Sequence, residues 1–246
     1  MSTAGQGGSR RSRAIVREGI AVGIATGAYG LSFGAIGVAS GLDVWQTAAL
    51  SLLMFTGASQ FALVGVVASG GSPWSGAATA VLLGTRNGLY GLRLAPLLGW
   101  TGWQRVAAAH LVIDESTAMA INRDGRDDAR TGFLSAGLAV FLLWNLATVV
   151  GAVAGASLGD PRDLGLDAAV GAAFLALLWP RLRTRTNQVV ACLAVAVALG
   201  MVPVSPAGAP VLAAAVVALL AGAVSRSPDP TEVPDRDDLP GGGVHR

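Results

Sequence analysis

The sequence contains no lysine, a single cysteine and few charged residues. Charged residues make up 13% of the 246 positions, against about 25% in ordinary soluble domains. Cys192 alone excludes an internal disulfide framework. The basic residues are all arginines and do not form a basic stripe, so no nucleic-acid partner is predicted. Charge is absent from four long stretches, residues 19–42, 44–85, 131–159 and 186–225.

These uncharged stretches are long enough to cross a bilayer, which takes about 20 predominantly apolar residues. We therefore expect an all-α, polytopic integral membrane bundle of about seven to eight transmembrane segments in the cell (cytoplasmic) membrane. Residues 1–14 are predicted to be a disordered basic cytoplasmic tail, 15–225 a transmembrane transporter domain, and 226–246 a disordered acidic tail rich in Pro and Gly.

The number of crossings depends on residues 105–123, which are short and charged for a lipid-facing span. Arginine-rich segments favour the cytoplasmic side, so "RRSR" and "RLRTR" (181–185) should share it. Counting both 46–68 and 105–123 as crossings satisfies this rule and gives eight crossings with both termini inside. A re-entrant element in place of one crossing remains an alternative.

Two sequence features predict how the spans are arranged. Gly19, Gly23 and Gly27 begin a ridge of small residues, which allows another helix to pack closely. The tripeptide "GLD" occurs at 41–43 and again at 165–167, which hints at an internal duplication of the kind common in transporters.

The first polar cluster is "MFTGASQFA" (54–62). Thr56, Ser59 and Gln60 have the spacing of one helical face, and Gly57 favours a local weakening of the helix. A buried amide needs hydrogen-bond partners. Gln60 is therefore either a link to a neighbouring helix or a contact to a polar substrate.

The second cluster is "TRNGLYG" (85–91). Arg86 and Tyr90 share a helical face, and Arg93 lies one turn further along it. Gly88 and Gly91 would permit a broken helix, whose free backbone groups can bind charged ends of a substrate. Arg93 is expected to reach an interface, whereas Arg86 lies deep enough to bind a carboxylate.

The third cluster is "HLVIDESTAMA" (110–120). On a continuous helix, His110, Asp114 and Thr117 share one face, and Glu115 points about 100° away from Asp114. Acids in an apolar helix must pair, protonate or meet water, unless the helix lies on the surface. We expect Arg86 to pair with Asp114 or Glu115, and a zwitterionic ligand to replace that pair.

The order of these motifs resembles the AzlC family of branched-chain amino-acid exporters over about residues 15–224. The resemblance rests on "GLSFGAIGVASGL" (30–42), "SLLMFTGASQFALVG" (51–65), "TRNGLYGLRLAP" (85–96), "DESTAMA" (114–120), "WNLATVVGAVAGASLGDPRDLGLDAA" (144–169) and "FLALL" (174–178). The family pattern has Asn and His beside the arginine of the third segment, where this chain has Gly84 and Asn87.

The resemblance implies a permease that exports valine, leucine, isoleucine or methionine by secondary, proton-coupled transport, together with a small AzlD-like membrane subunit. Alternatives are a structural or assembly subunit that transports nothing alone, and an intramembrane serine hydrolase using Ser59 and His110. No metal, cofactor or enzymatic activity is predicted. The substrate-binding candidates are Arg86, Asn87, Tyr90, Gln60, Ser59, Thr56 and Glu115, and the proton-coupling candidates are Asp114 and Glu115.

Overall fold

The computed structural model describes residues 3–157, 175, 178–179, 182–205 and 209–224, and every regular element in these ranges is helical. The helices are α1 (Thr3–Gly27), α2 (Tyr29–Ala39), α3 (Val44–Leu53), α4 (Gly57–Ala68), α5 (Pro73–Leu98), α6 (Gly102–Ala109), α7 (Asp114–Ile121), α8 (Arg126–Ser157), α9 (Arg185–Met201) and α10 (Ala209–Val224). Helix α1 includes residues 3–14, for which the composition predicts a basic tail. The predicted tail at 226–246 and the second "GLD" lie outside the described residues.

Between Gly19 and Ala35, helices α1 and α2 pack along α8 and run in the same direction as it. A Cβ atom added to Gly19, Gly23 or Gly34 would lie 2.3, 2.5 or 2.0 Å from Ser135, Ala139 or Thr148 respectively. Only glycine allows such a close approach of two helices. The tight packing predicted from the glycine ridge is therefore confirmed.

Helices α1 and α8 begin at the same end of the bundle, where Arg11 Nε lies 2.6 Å from Asp128 Oδ2. We call this the Arg11 end. The opposite end of the bundle, where α8 finishes, is called the Ser157 end. Helix α5 also finishes at the Arg11 end, because Arg130 Nε in the first turns of α8 donates a hydrogen bond to the Leu98 carbonyl over 2.8 Å. Helix α5 is thus antiparallel to α1 and α8.

Helices α3 and α4 form a hairpin that enters the bundle from the Ser157 end and returns to it. Helix α3 begins after α2 at that end and stops at Leu53, in the middle of the bundle. Helix α4 then turns back, because Gln60 Nε2 lies 3.3 Å from the Ser51 carbonyl. Each limb is about half as long as a bilayer-spanning helix. The prediction that residues 46–68 form a crossing is therefore wrong.

Helices α6 and α7 form a second hairpin, which enters from the Arg11 end. Helix α6 begins just after Leu98 at that end, and α7 returns to it, because Arg123 beyond its last turn pairs with Glu18 of α1. Helix α7 runs antiparallel to α8, with Met119 against Gly132 and Ser116 against Gly137. Residues 105–123 thus re-enter, and the prediction that they cross is wrong.

The chain from α1 to α7 has the arrangement of an inverted repeat. In the first unit (α1–α4), the chain runs toward the Ser157 end and then forms a hairpin that enters from that end. In the second unit (α5–α7), the chain runs toward the Arg11 end and then forms a hairpin that enters from the Arg11 end. The sequences align at the helix-to-hairpin corner, "GLDVWQ" (41–46) with "GWTGWQ" (99–104). Gly41 and Gly99 both have positive φ, 96° and 63°. Inverted repeats of this kind are common in membrane transporters.

Two described helical stretches are both long and apolar enough to cross a membrane, Arg10–Ala39 and Arg126–Ser157. Helix α5 joins the two ends but carries Arg86 and Arg93, and α9 and α10 are shorter apolar helices that pack on each other. A helical bundle is therefore confirmed, and a total of seven to eight spans is not.

Candidate functional site

The tips of the two hairpins meet in the middle of the bundle. His110 Nε2, at the tip between α6 and α7, lies 3.0 Å from the Leu52 carbonyl in the last turn of α3. The two residues are 58 positions apart and are equivalent in the repeat. Phe55 and Phe141 lie beside the His110 ring, with centroids 6.1 and 5.6 Å from it. The centre of the repeat is thus a direct contact between its two halves.

Gln60 links the limbs of the first hairpin. It is fully buried, and its Nε2 donates to the Ser51 and Leu50 carbonyls over 3.3 and 3.5 Å. These carbonyls lie near the C-terminal end of α3, where helical carbonyls lose their intrahelical partners. Of the two interpretations of Gln60, the structure thus shows the link between helices.

Arg86 of α5 pairs with Asp114, the first residue of α7, over 3.2 Å between Nη2 and Oδ1. The side chains are 33% and 30% exposed, so the pair is mostly enclosed. Arg86 Nε is buried without a hydrogen-bond partner among the described residues. The pairing expected from the sequence is therefore confirmed, and the guanidinium retains an unused donor.

The N-terminus of α4 lies beside the same part of α5. Helices α4 and α5 are antiparallel, with Leu63 against Gly76 and Ser59 against Gly84, and this register places Arg86 level with Thr56. Thr56 lies outside the helix at its N-cap position but does not cap it. The first backbone N–H groups of α4 therefore point toward a region that also contains the hydroxyls of Thr56 and Ser59, 3.5 Å apart.

Asn87 adds a polar group next to this region. Its Oδ1 atom is buried and has no hydrogen-bond partner among the described residues. Tyr90, one turn along α5 from Arg86, packs partly buried against the apolar core. The structure thus brings most of the predicted residues to one place, between the α4 N-terminus, the middle of α5 and the α7 N-terminus.

The two helix N-termini at the centre differ in charge. Helix α7 begins with Asp114 and Glu115, whereas α4 has no acid in its first turn. Glu115 accepts a hydrogen bond from Thr26 Oγ1 over 3.4 Å, which links α7 to α1. Because a helix N-terminus carries partial positive charge, the two acids of α7 balance that charge, and the first turn of α4 contains no such acid.

Two details of the predicted site are wrong. Helix α5 continues through Gly88 and Gly91, so the break is not there but at the hairpin tips, 54–56 and 110–113. His110 and Asp114 do not share a helical face, because the chain leaves the helix between them. His110 contacts Leu52, and Ser59 contacts Thr56, so the described contacts do not join the two residues of the hydrolase alternative.

A cavity of about 240 Å³ lies toward the Arg11 end, between α5 and α6. Its walls include Gly88, Gly91 and Ala95 of α5, Val112 at the hairpin tip and Phe133 of α8. These α5 residues are about 140–200° around the helix from Arg86. The cavity is therefore beside the polar site and not part of it.

The two apolar spanning stretches and the polar centre between half-helices that enter from opposite ends define the class: the chain is a membrane protein built like a transporter. A family model described as AzlC protein matches residues 21–158. The chain belongs to the AzlC family, which relates it to the membrane transport of branched-chain amino acids and to a small partner subunit in general terms. No curated protein sequence and no solved structure matches the chain significantly.

Proposed function

We propose that this chain exports branched-chain amino acids from the cytoplasm by secondary, proton-coupled transport, together with a small AzlD-like subunit. The observation that carries the proposal is the Arg86–Asp114 pair beside the uncapped N-terminus of α4. Family membership supports the transport class.

The substrate is a zwitterion, and the site offers matching charges. Its carboxylate binds between Arg86 and the first N–H groups of α4, where Arg86 Nε and the Thr56 hydroxyl donate to it. Its ammonium group binds Asp114, which Arg86 releases. The substrate thus replaces the internal ion pair, and the site does not keep an unpaired buried charge.

The proposed orientation of the chain in the membrane follows from the distribution of arginine. The Arg11 end carries Arg10, Arg11, Arg13, Arg17, Arg105, Arg123, Arg126 and Arg130, whereas the loops 40–43 and 69–72 at the Ser157 end carry none. Arginine-rich ends face the cytoplasm. We therefore place the Arg11 end in the cytoplasm and the Ser157 end outside.

The test is efflux of leucine from cells preloaded with a leucine dipeptide, with the chain expressed alone, with its small partner, and as Arg86→Ala with the partner. Efflux is expected with both subunits and is expected to fall at least about tenfold in Arg86→Ala, since a lost charged contact is worth 1.4 kcal/mol or more. Arg93→Ala is the matched control, because Arg93 is exposed on the same helix.

Equal efflux by Arg86→Ala and the unchanged chain contradicts the proposed site. No efflux in any combination, with both subunits folded in the membrane, contradicts export and favours the alternative of a structural or assembly subunit.

A further inference from the structure

The two hairpins are equivalent in the repeat but are packed differently. Thr47 and Ser51 of α3 are fully buried, and Ser51 Oγ donates to Thr148 Oγ1 of α8 over 3.3 Å. The equivalent positions on α6 are Arg105 and Ala109, which are exposed, and α6 has no buried residue. The first hairpin is held by α2 and α8, whereas the first limb of the second hairpin lies open.

The space beside α3, the first limb of the first hairpin, also differs from the space beside α6, the first limb of the second hairpin. A Cβ atom added to Gly37, beside α3, would lie 2.7 Å from Thr47. The equivalent residue, Ala95, lines the 240 Å³ cavity beside α6. A Cβ atom added to Gly91 of this cavity would meet no described atom within 4 Å. Among the described residues, the space beside α3 is therefore filled and the space beside α6 is not.

From this asymmetry we infer a second conformation in which the two hairpins exchange their packing. Helix α6 closes into the cavity against α5 and Phe133, and α3 separates from α2 and α8 near Ser51. The two units have similar folds but are packed differently in the same chain. Each unit can therefore adopt the packing that the other one shows. The contact between His110 and Leu52, which lies on the repeat axis, is kept in both conformations.

This inference goes beyond the proposed function, because it holds for any solute that the central site binds. Its test is the access of a membrane-impermeant maleimide to single cysteines at two repeat-related positions, Ser51→Cys and Ala109→Cys. Both are introduced into full-length Cys192→Ser in right-side-out and inverted vesicles, since the natural Cys192 is exposed. Both replacements are small, and correct folding is verified by monodispersity after extraction.

The cysteine at position 109 is expected to react rapidly from the Arg11 end. The cysteine at position 51 is expected to react only from the Ser157 end, and at least about tenfold more slowly, because a minor state is populated at about 10% or less. Reaction of position 51 from the Arg11 end, or from neither face, overturns the inference.

A third substitution keeps α6 from closing. Gly91→Leu places an apolar side chain in the cavity, and its Cβ atom would meet no described atom within 4 Å, so it is expected to lower labelling at position 51 at least about tenfold and to leave position 109 reactive. Val81→Leu, an exposed position on the same helix, is the matched control and is expected to change neither rate. Unchanged labelling at position 51 in Gly91→Leu overturns the inference even if the chain carries no amino acid.

Discussion

At the scale of single residues, the ion pair with Asp114 lowers the free-energy cost of placing Arg86 at membrane depth. An unpaired guanidinium in a lipid-facing span costs at least about 2.5 kcal/mol, and Arg86 avoids this cost through Asp114 at the start of α7. The sequence predicted this pair because the two residues are among the few charges in apolar segments. It did not select Asp114 over Glu115, because the interruption before Asp114 sets which acid faces α5.

Glu115 is the second acid of the centre and is bound to Thr26, not to Arg86, in the described contacts. If it carries the coupled proton, Glu115→Gln should still bind substrate but no longer respond to an imposed pH gradient. Leucine efflux at several external pH values checks this, with Asp127→Asn at the exposed start of α8 as the control. An unchanged pH response in Glu115→Gln would assign coupling to another group.

Substitution of Gln60 distinguishes a structural role of its side-chain amide from a role in substrate binding. Because its Nε2 holds the end of α3, Gln60→Leu is expected to lower stability by about 1–3 kcal/mol and to leave the apparent KM for efflux unchanged. Thermal unfolding in detergent and efflux kinetics together measure both effects. A raised KM with unchanged stability would show instead that Gln60 contacts the substrate.

At the scale of elements, the small residues of α1 and α2 determine which helix they contact. A Cβ atom on Gly34 would lie 2.0 Å from the Thr148 carbonyl oxygen, a backbone atom that cannot rotate away. Gly34→Ala is therefore expected to cost about 1–3 kcal/mol by overpacking. Gly200→Ala on α9 is the control, since no atom of the described part of the chain lies within 4 Å of the added atom. Equal thermal stability of the two variants would be incompatible with this helix contact.

The hairpins also belong to this scale, and the sequence offered a re-entrant element only as an alternative to one crossing. Residues 46–68 and 105–123 each contain enough apolar residues for one span, and hydropathy is the same whether a chain continues or turns back. The available signal was the "WQ" shared by 45–46 and 103–104, each after a glycine with positive φ. The "GLD" match pointed to a different spacing.

At the scale of the whole molecule, the two folding-back segments change which loops share a side of the membrane. In this fold the loops at Ser40 and Ser72 lie at the Ser157 end, and those at Thr101 and Asn122 lie at the Arg11 end. If both segments crossed, Ser40 and Ser72 would lie on opposite sides, as would Thr101 and Asn122.

Single cysteines at these four loop positions in Cys192→Ser distinguish the two topologies. We expect an impermeant maleimide to label Ser40→Cys and Ser72→Cys from one face, and Thr101→Cys and Asn122→Cys from the other. Labelling of Ser40→Cys and Ser72→Cys from opposite faces would refute the first re-entrant hairpin, and the same result for the other two positions would refute the second.

The sequence by itself determined the helical, membrane-embedded class, the close packing of the glycine ridge and the polar residues of the centre. These follow from composition and local spacing, because charge is costly in lipid and glycine permits close helix contacts. Only the tertiary structure decided that two apolar segments turn back, that Asp114 is the partner of Arg86, and that one hairpin is packed while the other is open. Those outcomes depend on contacts between residues far apart in the chain, such as His110 with Leu52 and Arg130 with Leu98.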